Sequence, residues 1–261
     1  MSLPCMCLRH CKLVPRVNAA FARRLTLLMN PYRINPDVDY RRLHQLSDDF
    51  TNLWKRLQSF YLDAAVGFAF VRSHIEADQE RSRSYVRGTE IDSGEFQDRL
   101  SFSYTEIFCD DFCTSAIHEA TQGEVKARNA PGGANFTTLA QLCLVSFYDY
   151  WNDYLRREYV IAKGKLDENE TKKEVVEAAL REYASHDLWG DIRHLRTSIV
   201  HNQGIATSDV IRCKHIKWFQ PGDPIALTPQ HMRALFLALL RYRTEWFNEQ
   251  FPEHYMQIPS R

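Results

Sequence analysis

Leu43-His44-Gln45-Leu46-Ser47-Asp48-Asp49-Phe50-Thr51-Asn52-Leu53 opens an apolar stripe that continues through Leu57, Phe60 and Ala64. The steps alternate between three and four residues, the spacing of one helix face. Phe68, Val71 and Ile75 carry the stripe past Gly67, the polar run Glu76–Arg87 reads as a solvated end, and Gly88 is placed to break the helix. A stripe of this length cannot stay in water, so the helix must pack against a partner. With only 10 Gly and 10 Pro in 261 residues, the chain has too few breakers for a turn-rich β fold. The expected fold class is all-α: a helical bundle with a long N-terminal helical segment.

Outward from that helix, a second one is expected after Ser93, with Glu95 at its positive end, running towards Glu119. Pro131-Gly132-Gly133 marks Gly123–Asn135 as a loop. A third helix spans Thr137–Ala162, with Leu144, Phe147, Tyr148, Trp151, Leu155 and Tyr159 on a dense face. Ser146, Asp149, Asn152 and Arg156 lie on its polar side. Lys163–Glu170 is a charged linker, and Thr171–Tyr183 a short amphipathic helix with Val175, Val176, Ala179 and Leu180 inward. The next helix covers His186–His201, with Gly204 where a left-handed C-terminal cap belongs. Gln220-Pro221-Gly222-Asp223 is a turn sequence, and its flanks Ile211–Phe219 and Pro224–Leu227 suggest a small β-hairpin. Thr228-Pro229 starts the last helix with a capping hydroxyl followed by Pro at the first helical position. Met232, Leu235, Phe236, Leu239, Leu240, Trp246 and Phe247 are its expected buried residues.

The formal net charge is +0, which argues against a protein that coats nucleic acid along its length. It leaves room for an enzyme that touches RNA through a few local cations. The first 28 residues hold Arg9, Lys12, Arg16, Arg23 and Arg24 and no acid, so the remaining 233 carry a net −5. This segment reads as a disordered basic extension, an organelle-type leader, or residues preceding a start at Met29. The expected organisation is therefore 1–28 extension, 29–122 N-terminal helical segment, 136–250 helical domain and 251–261 tail.

Seven Cys, with Cys143 inside an apolar helical pattern, argue against a disulfide framework and for a reducing, cytoplasmic setting. Cys5, Cys7, His10 and Cys11 are zinc-ligand types without the usual separated pairs, and Cys109 with Cys113 reads as packing one turn apart. No metal or other cofactor is expected, and no apolar run is long enough to cross a membrane.

The residues with chemical potential lie in Leu195-Arg196-Thr197-Ser198-Ile199-Val200-His201-Asn202-Gln203-Gly204-Ile205. Arg193, Thr197 and His201 stack at intervals of four. Arg196 lies about 140° from His201 on a straight helix, so the two meet only if the helix end or a symmetric second copy brings them together. Asp149 and Asn152 are placed to orient His201 or pair with Arg196. Phe147, Tyr148, Tyr150, Trp151 and Tyr154 read as core or as base-stacking rings. Lys214, His215 and Lys217 near Trp218 read as a solvated hairpin or a small RNA-contacting patch.

This stretch resembles the core of HEPN proteins, common in prokaryotic toxin–antitoxin and abortive-infection systems. Their motif is an Arg, four to six residues, then His. The clear resemblance covers about residues 186–206, and a weaker one in helix order extends over roughly 136–250. It implies a cytoplasmic, metal-independent endoribonuclease acting as toxin or antiphage effector. The active form would be a homodimer with a composite site, RNA its substrate, and an antitoxin or activating protein a further partner. Carried over, Arg196 would hold the scissile phosphate. His201 would exchange protons with the 2′-hydroxyl or the leaving oxygen, since imidazoles titrate near neutrality. The products would be a 2′,3′-cyclic phosphate and a 5′-hydroxyl. Thr197, Asn202, Arg193 and Asp149 would support the pair. Thr197 departs from the Asn, Asp or His often found at its position. The alternatives are an inactive HEPN module that dimerises or binds nucleotide or RNA, and a helical adaptor in which the motif is coincidental.

Overall fold

A computed structural model describes residues 37–85, 87–89, 93–102 and 120–248. Every element below belongs to the unit Asp39–Arg261. The readings made for residues 1–28, Cys5 to Cys11, Cys109, Cys113 and 251–261 lie outside the described residues.

The described residues are mostly helical, and none of them forms a strand. Helix α1 (Tyr40–Tyr85) carries the long stripe, and Gly88 follows its end at φ +85. Leu43, Leu46, Phe50 and Leu53 are buried, but Phe60 is 53% exposed and Tyr61 takes its place in the core. The physical reason is drift. A strict heptad slips by about 20° per repeat on a straight helix, so the apolar face rotates from the Leu57 and Phe60 line towards Tyr61. Ile75 returns to the interior.

Helix α2 (Gly94–Asp98) begins at the expected Ser93, whose side chain accepts the Phe96 N–H. It ends at Asp98, far short of the expected Glu119, and 103–119 lie outside the described residues. The first half of the expected loop from Gly123 to Asn135 is a helix, α3 (Gln122–Arg128). Thr121 and Glu124 close a capping box at its start, a Thr-x-x-Glu signal that outweighs Gly123. Only Asn129–Gly133 remains a turn before α4.

Helix α4 (Ala134–Tyr150) runs through a single π turn (Trp151–Leu155) into α5 (Arg156–Ala162). The Arg156 N–H bonds to the Trp151 carbonyl five residues back. Phe147, Trp151, Leu155 and Tyr159 recur at every fourth residue and are all buried. In an α-helix each such step overshoots a full turn by about 40°, so three steps would spiral the face away. One extra residue, worth about 100°, cancels most of that drift.

Helix α6 (Lys173–Tyr183) buries Ala179 and Leu180, whereas Val175, expected inward, is 45% exposed. Helix α7 (Asp187–His201) has His186 as N-cap, its ring nitrogen accepting the Leu188 N–H. A 3-10 turn (Ser208–Arg212) follows and takes in the first two residues of the expected Ile211–Phe219 arm. The segment forms no ladder: its one pairing near the turn is the isolated bridge Ile205 to Pro224. The turn itself stands, with Gly222 at φ +90 and the Asp223 N–H bonding to the Gln220 carbonyl. Helix α8 (Pro229–Asn248) opens at Pro229 as expected and buries Met232, Leu235, Phe236, Leu239 and Phe247, while Leu240 is 37% exposed.

The core is knitted by aromatic rings. Trp151 stacks on Trp189 at 4.8 Å, and Phe50 and Tyr242 pack edge-on around them. The Trp54 indole N–H donates to the Phe236 carbonyl at 3.0 Å, tying α1 to α8. Arg42 on α1 pairs with Glu158 on α5. Cys143 and Cys213 are buried free thiols whose pKa values burial pushes to about 11 and about 12, so they act as packing groups. Among the described residues no helix is long and apolar enough to cross a membrane.

Candidate functional site

The site is set by the crossing of α4 and α7 and by how α7 ends. Its last turn stops because Gln203 and Gly204 adopt φ 52 and φ +76. Both the Asn202 and Gly204 N–H groups return to the Ser198 carbonyl. Asn202, expected near the phosphate or His201, instead donates its side-chain amide to the Ile205 carbonyl at 2.7 Å. It holds the reversal that follows the helix.

Ser198 is fully buried and fastens the same region from inside. Its hydroxyl donates to the His194 carbonyl at 3.0 Å and accepts the Thr207 N–H at 3.1 Å. Gln141 on α4 adds a bond from its amide to the Ile225 carbonyl at 3.0 Å. The loop after α7 is thus pinned to both helices.

Within this frame Arg196 and His201 meet. The Arg196 Nη1 donates to the His201 Nε2 at 3.0 Å across five residues. A guanidinium has donors only, so Nε2 is the accepting nitrogen and the ring proton sits on Nδ1. Arg196 bridges the 140° between the two positions by reaching along the helix to its final turn. Its other terminal nitrogen, Nη2, lies 3.4 Å from Asp149 Oδ1 on α4, one of the pairings the sequence suggested. The Arg196 carbon sits 6.0 Å from the Tyr148 ring centre, at the edge of cation–π range. Its Nε is buried and has no hydrogen-bond partner among the described residues. His201 is exposed and Thr197 half-buried. The pair therefore lies at the surface, and each terminal nitrogen of the guanidinium keeps a second N–H beyond these contacts.

Arg193 does not join this pair. It is exposed one turn earlier on α7 and lines a cavity of about 530 Å³ with Tyr148, Trp151, Arg156, His194 and Lys214. Asn152 also faces this cavity and donates to Asp153, not to His201. Tyr148 is shared between pair and cavity, lining the cavity and carrying Arg196 over its ring. Burial raises its pKa, while the charges of Arg193, Arg156 and Arg196 pull it down. His194 is shifted down, first by burial and then by Arg193.

Two groups escaped sequence reasoning. Asp191, only 2% exposed, accepts the backbone N–H groups of Lys214, His215 and Ile216 at 2.8, 2.6 and 2.8 Å. It builds the cavity wall, and a buried Asp on the inward side of α7 was the signal for it. Arg212 lines the same cavity from the 3-10 turn, where nothing in the sequence pointed inward. The Lys214 patch is also redistributed. Lys214 pairs with Asp187 at 2.8 Å, and Trp218 stacks on His231 at 4.7 Å, so Trp218 already has a ring partner. Of the candidate stacking rings on α4 and the π turn, Phe147 and Trp151 are core. Among the described residues no cluster of three or more His, Cys, Asp or Glu is placed to hold a metal ion.

No protein-family model matches the chain, and neither a curated protein nor a solved structure matches it at a significant level.

Proposed function

We propose that the protein is a metal-independent endoribonuclease of the HEPN type, with Arg196 and His201 as the reacting pair. The observation that carries this reading is their 3.0 Å contact at an exposed helix end. A cation able to hold a phosphate and an imidazole able to move a proton are the two groups that 2′-hydroxyl attack requires. Asp149 steadies the guanidinium from α4. When a phosphodiester enters, its oxygens compete for the Arg196 donors. The His201 Nε2 lone pair is then released to take the 2′-hydroxyl proton as that oxygen attacks phosphorus and the 5′-oxygen departs. The 5′-oxygen receives a proton from an imidazolium or from solvent. The products are a 2′,3′-cyclic phosphate and a 5′-hydroxyl. Arg193 lies outside the pair and contributes from the adjoining cavity, and Thr197 and Asn202 support the helix end.

The active form in this reading is a homodimer with two such pairs facing a shared cleft. The biological role is that of a cytoplasmic toxin or antiphage effector restrained by an antitoxin or released by an activating partner. The test is cleavage of total RNA in EDTA by the unmodified protein and by His201→Ala. Loss of about 10²–10⁴-fold in rate, with fold and oligomeric state preserved, is the expected result. Equal cutting by both proteins would remove His201 from the chemistry and the proposal with it.

The alternative, a module that binds nucleotide or RNA without cutting it, is favoured by the cation-rich cavity beside the pair. It predicts RNA binding that survives His201→Ala and no cleavage by either protein.

A further inference from the structure

The cavity between the π turn and the first half of α7 has a charge character unlike the chain as a whole. The protein has a formal net charge of +0. The cavity is faced by Arg156, Arg193, Arg212 and Lys214 against two carboxylates, Asp187 and Asp191. Of those two, Asp191 is consumed by three backbone N–H donors and Asp187 by Lys214. Arg212 has an exposed partner in Asp209 at 3.3 Å. Arg156 and Arg193 have no ion pair among the described residues. Two guanidiniums are thus left facing an open volume of about 530 Å³.

Cations gathered without matching acids repel one another, and solvent alone compensates that cost at the surface. An arrangement that holds them together is accounted for by an anion that binds between them. Guanidinium forks match the paired oxygens of a phosphate. The volume falls in the range of nucleotide-sized sites, and the Tyr148 ring on its wall offers a face to a base or sugar. Tyr148 also lies under Arg196, so the cavity adjoins the Arg196–His201 pair through this ring.

We propose that this cavity binds the phosphate groups of a nucleotide or of a single RNA strand, with Arg156 and Arg193 as the anion-binding residues. The two sources share one chemistry. The site does not depend on cleavage, because the ligand need not react there.

The experiment uses the full chain in EDTA with two probes, ATP and a fluorescent hexauridylate carrying 2′-O-methyl groups, which lacks the nucleophile and cannot be cut. Affinity is measured for the unmodified protein, Arg156→Gln/Arg193→Gln, Arg212→Gln and Arg196→Ala. All the substituted side chains are at least partly exposed, and circular dichroism checks the fold of each variant. The expected result is binding of at least one probe, weakened at least about tenfold by the double substitution and less by Arg196→Ala. For the hexauridylate, the slope of log Kd against log salt also falls by about 1.4, as loss of two phosphate contacts on a single strand requires. Binding of the oligonucleotide but not ATP assigns the site to the RNA strand, and the reverse assigns it to a free nucleotide. Binding of neither probe, binding indifferent to the double substitution, or a larger loss from Arg196→Ala overturns the proposal. None of these outcomes turns on whether the protein cuts RNA.

Discussion

Asp149 Oδ1 on α4 lies 3.4 Å from Arg196 Nη2 on α7, while His201 Nε2 lies 3.0 Å from the other terminal nitrogen, Nη1. The carboxylate and the imidazole thus hold two different nitrogens of one planar group. This sets the direction in which Arg196 presents its remaining donors. Because the pair is partly exposed, at 27% and 42% for the two side chains, its contribution to stability is small, whereas its effect on orientation is direct.

Asp149→Asn is therefore expected to separate positioning from stability. The denaturation midpoint should shift by less than about 0.5 kcal/mol, as for other solvent-screened ion pairs. RNA cleavage should fall roughly tenfold through loss of guanidinium alignment. Rate and urea denaturation measured on the same preparation check both halves. A large stability loss with unchanged rate would make Asp149 a structural residue only.

Arg196→Lys keeps the charge and removes the fork. One ammonium cannot contact Asp149 and His201 from two fixed directions while offering further donors to a phosphate. Cleavage is expected to drop by about 10²-fold, the scale of losing one preorganised transition-state donor. Substrate affinity should change much less. Single-turnover rates and equilibrium binding of an uncleavable RNA analogue distinguish the two terms.

Ser198→Ala tests the fastening under the motif. Its fully buried hydroxyl accepts the Thr207 N–H, and alanine leaves that donor without its acceptor. A cost of about 1–3 kcal/mol is expected from the unsatisfied group, read as a lower urea midpoint. Activity per folded molecule should fall as well, since the loop that ends α7 loosens beside His201. A variant as stable as the parent would mean that water replaces the hydroxyl.

Much of this was legible because helices advertise themselves through period and caps. Gly88, Ser93, Gly204 and Thr228-Pro229 each end or start an element where the sequence placed it. The failures share one cause, competition between local signals and packing. Gly123 reads as a breaker, yet the Thr121–Glu124 box carries the helix through it. Ile211–Phe219 has β character, yet Asp191 gathers its N–H groups from the side and leaves none of Lys214, His215 and Ile216 for a ladder. The motif itself was plain in the sequence. Its geometry was not, because helical angles locate Cα atoms whereas a long arginine side chain closes gaps that those angles forbid. The cavity was the least legible feature, since it joins the polar side of one helix, the inner side of another and a loop cation distant in sequence.

The start of α8 carries a pH dependence that can be isolated. Thr228 accepts the His231 N–H, and the His231 Nδ1 accepts the Thr228 N–H at 3.2 Å. This is a reciprocal cap with His where Glu or Gln usually stands. The ring must be neutral at Nδ1 to accept, and burial pushes its pKa below the ordinary 6.5, opposed in part by a backbone bond to Ala226. The unfolded chain therefore takes up the proton at higher pH than the folded one. This contribution to stability is full above about pH 7 and is lost as pH falls below 6.5 towards the lowered folded value. The downward shift at His194 acts in the same direction. His231→Gln keeps an acceptor for the Thr228 N–H but cannot titrate. Its stability at pH 7.5 should stay near that of the parent, and the decline between pH 7.5 and 5.5 should become shallower. Urea midpoints for the two proteins across that interval provide the measurement. Parallel curves would show that the cap does not sense protons.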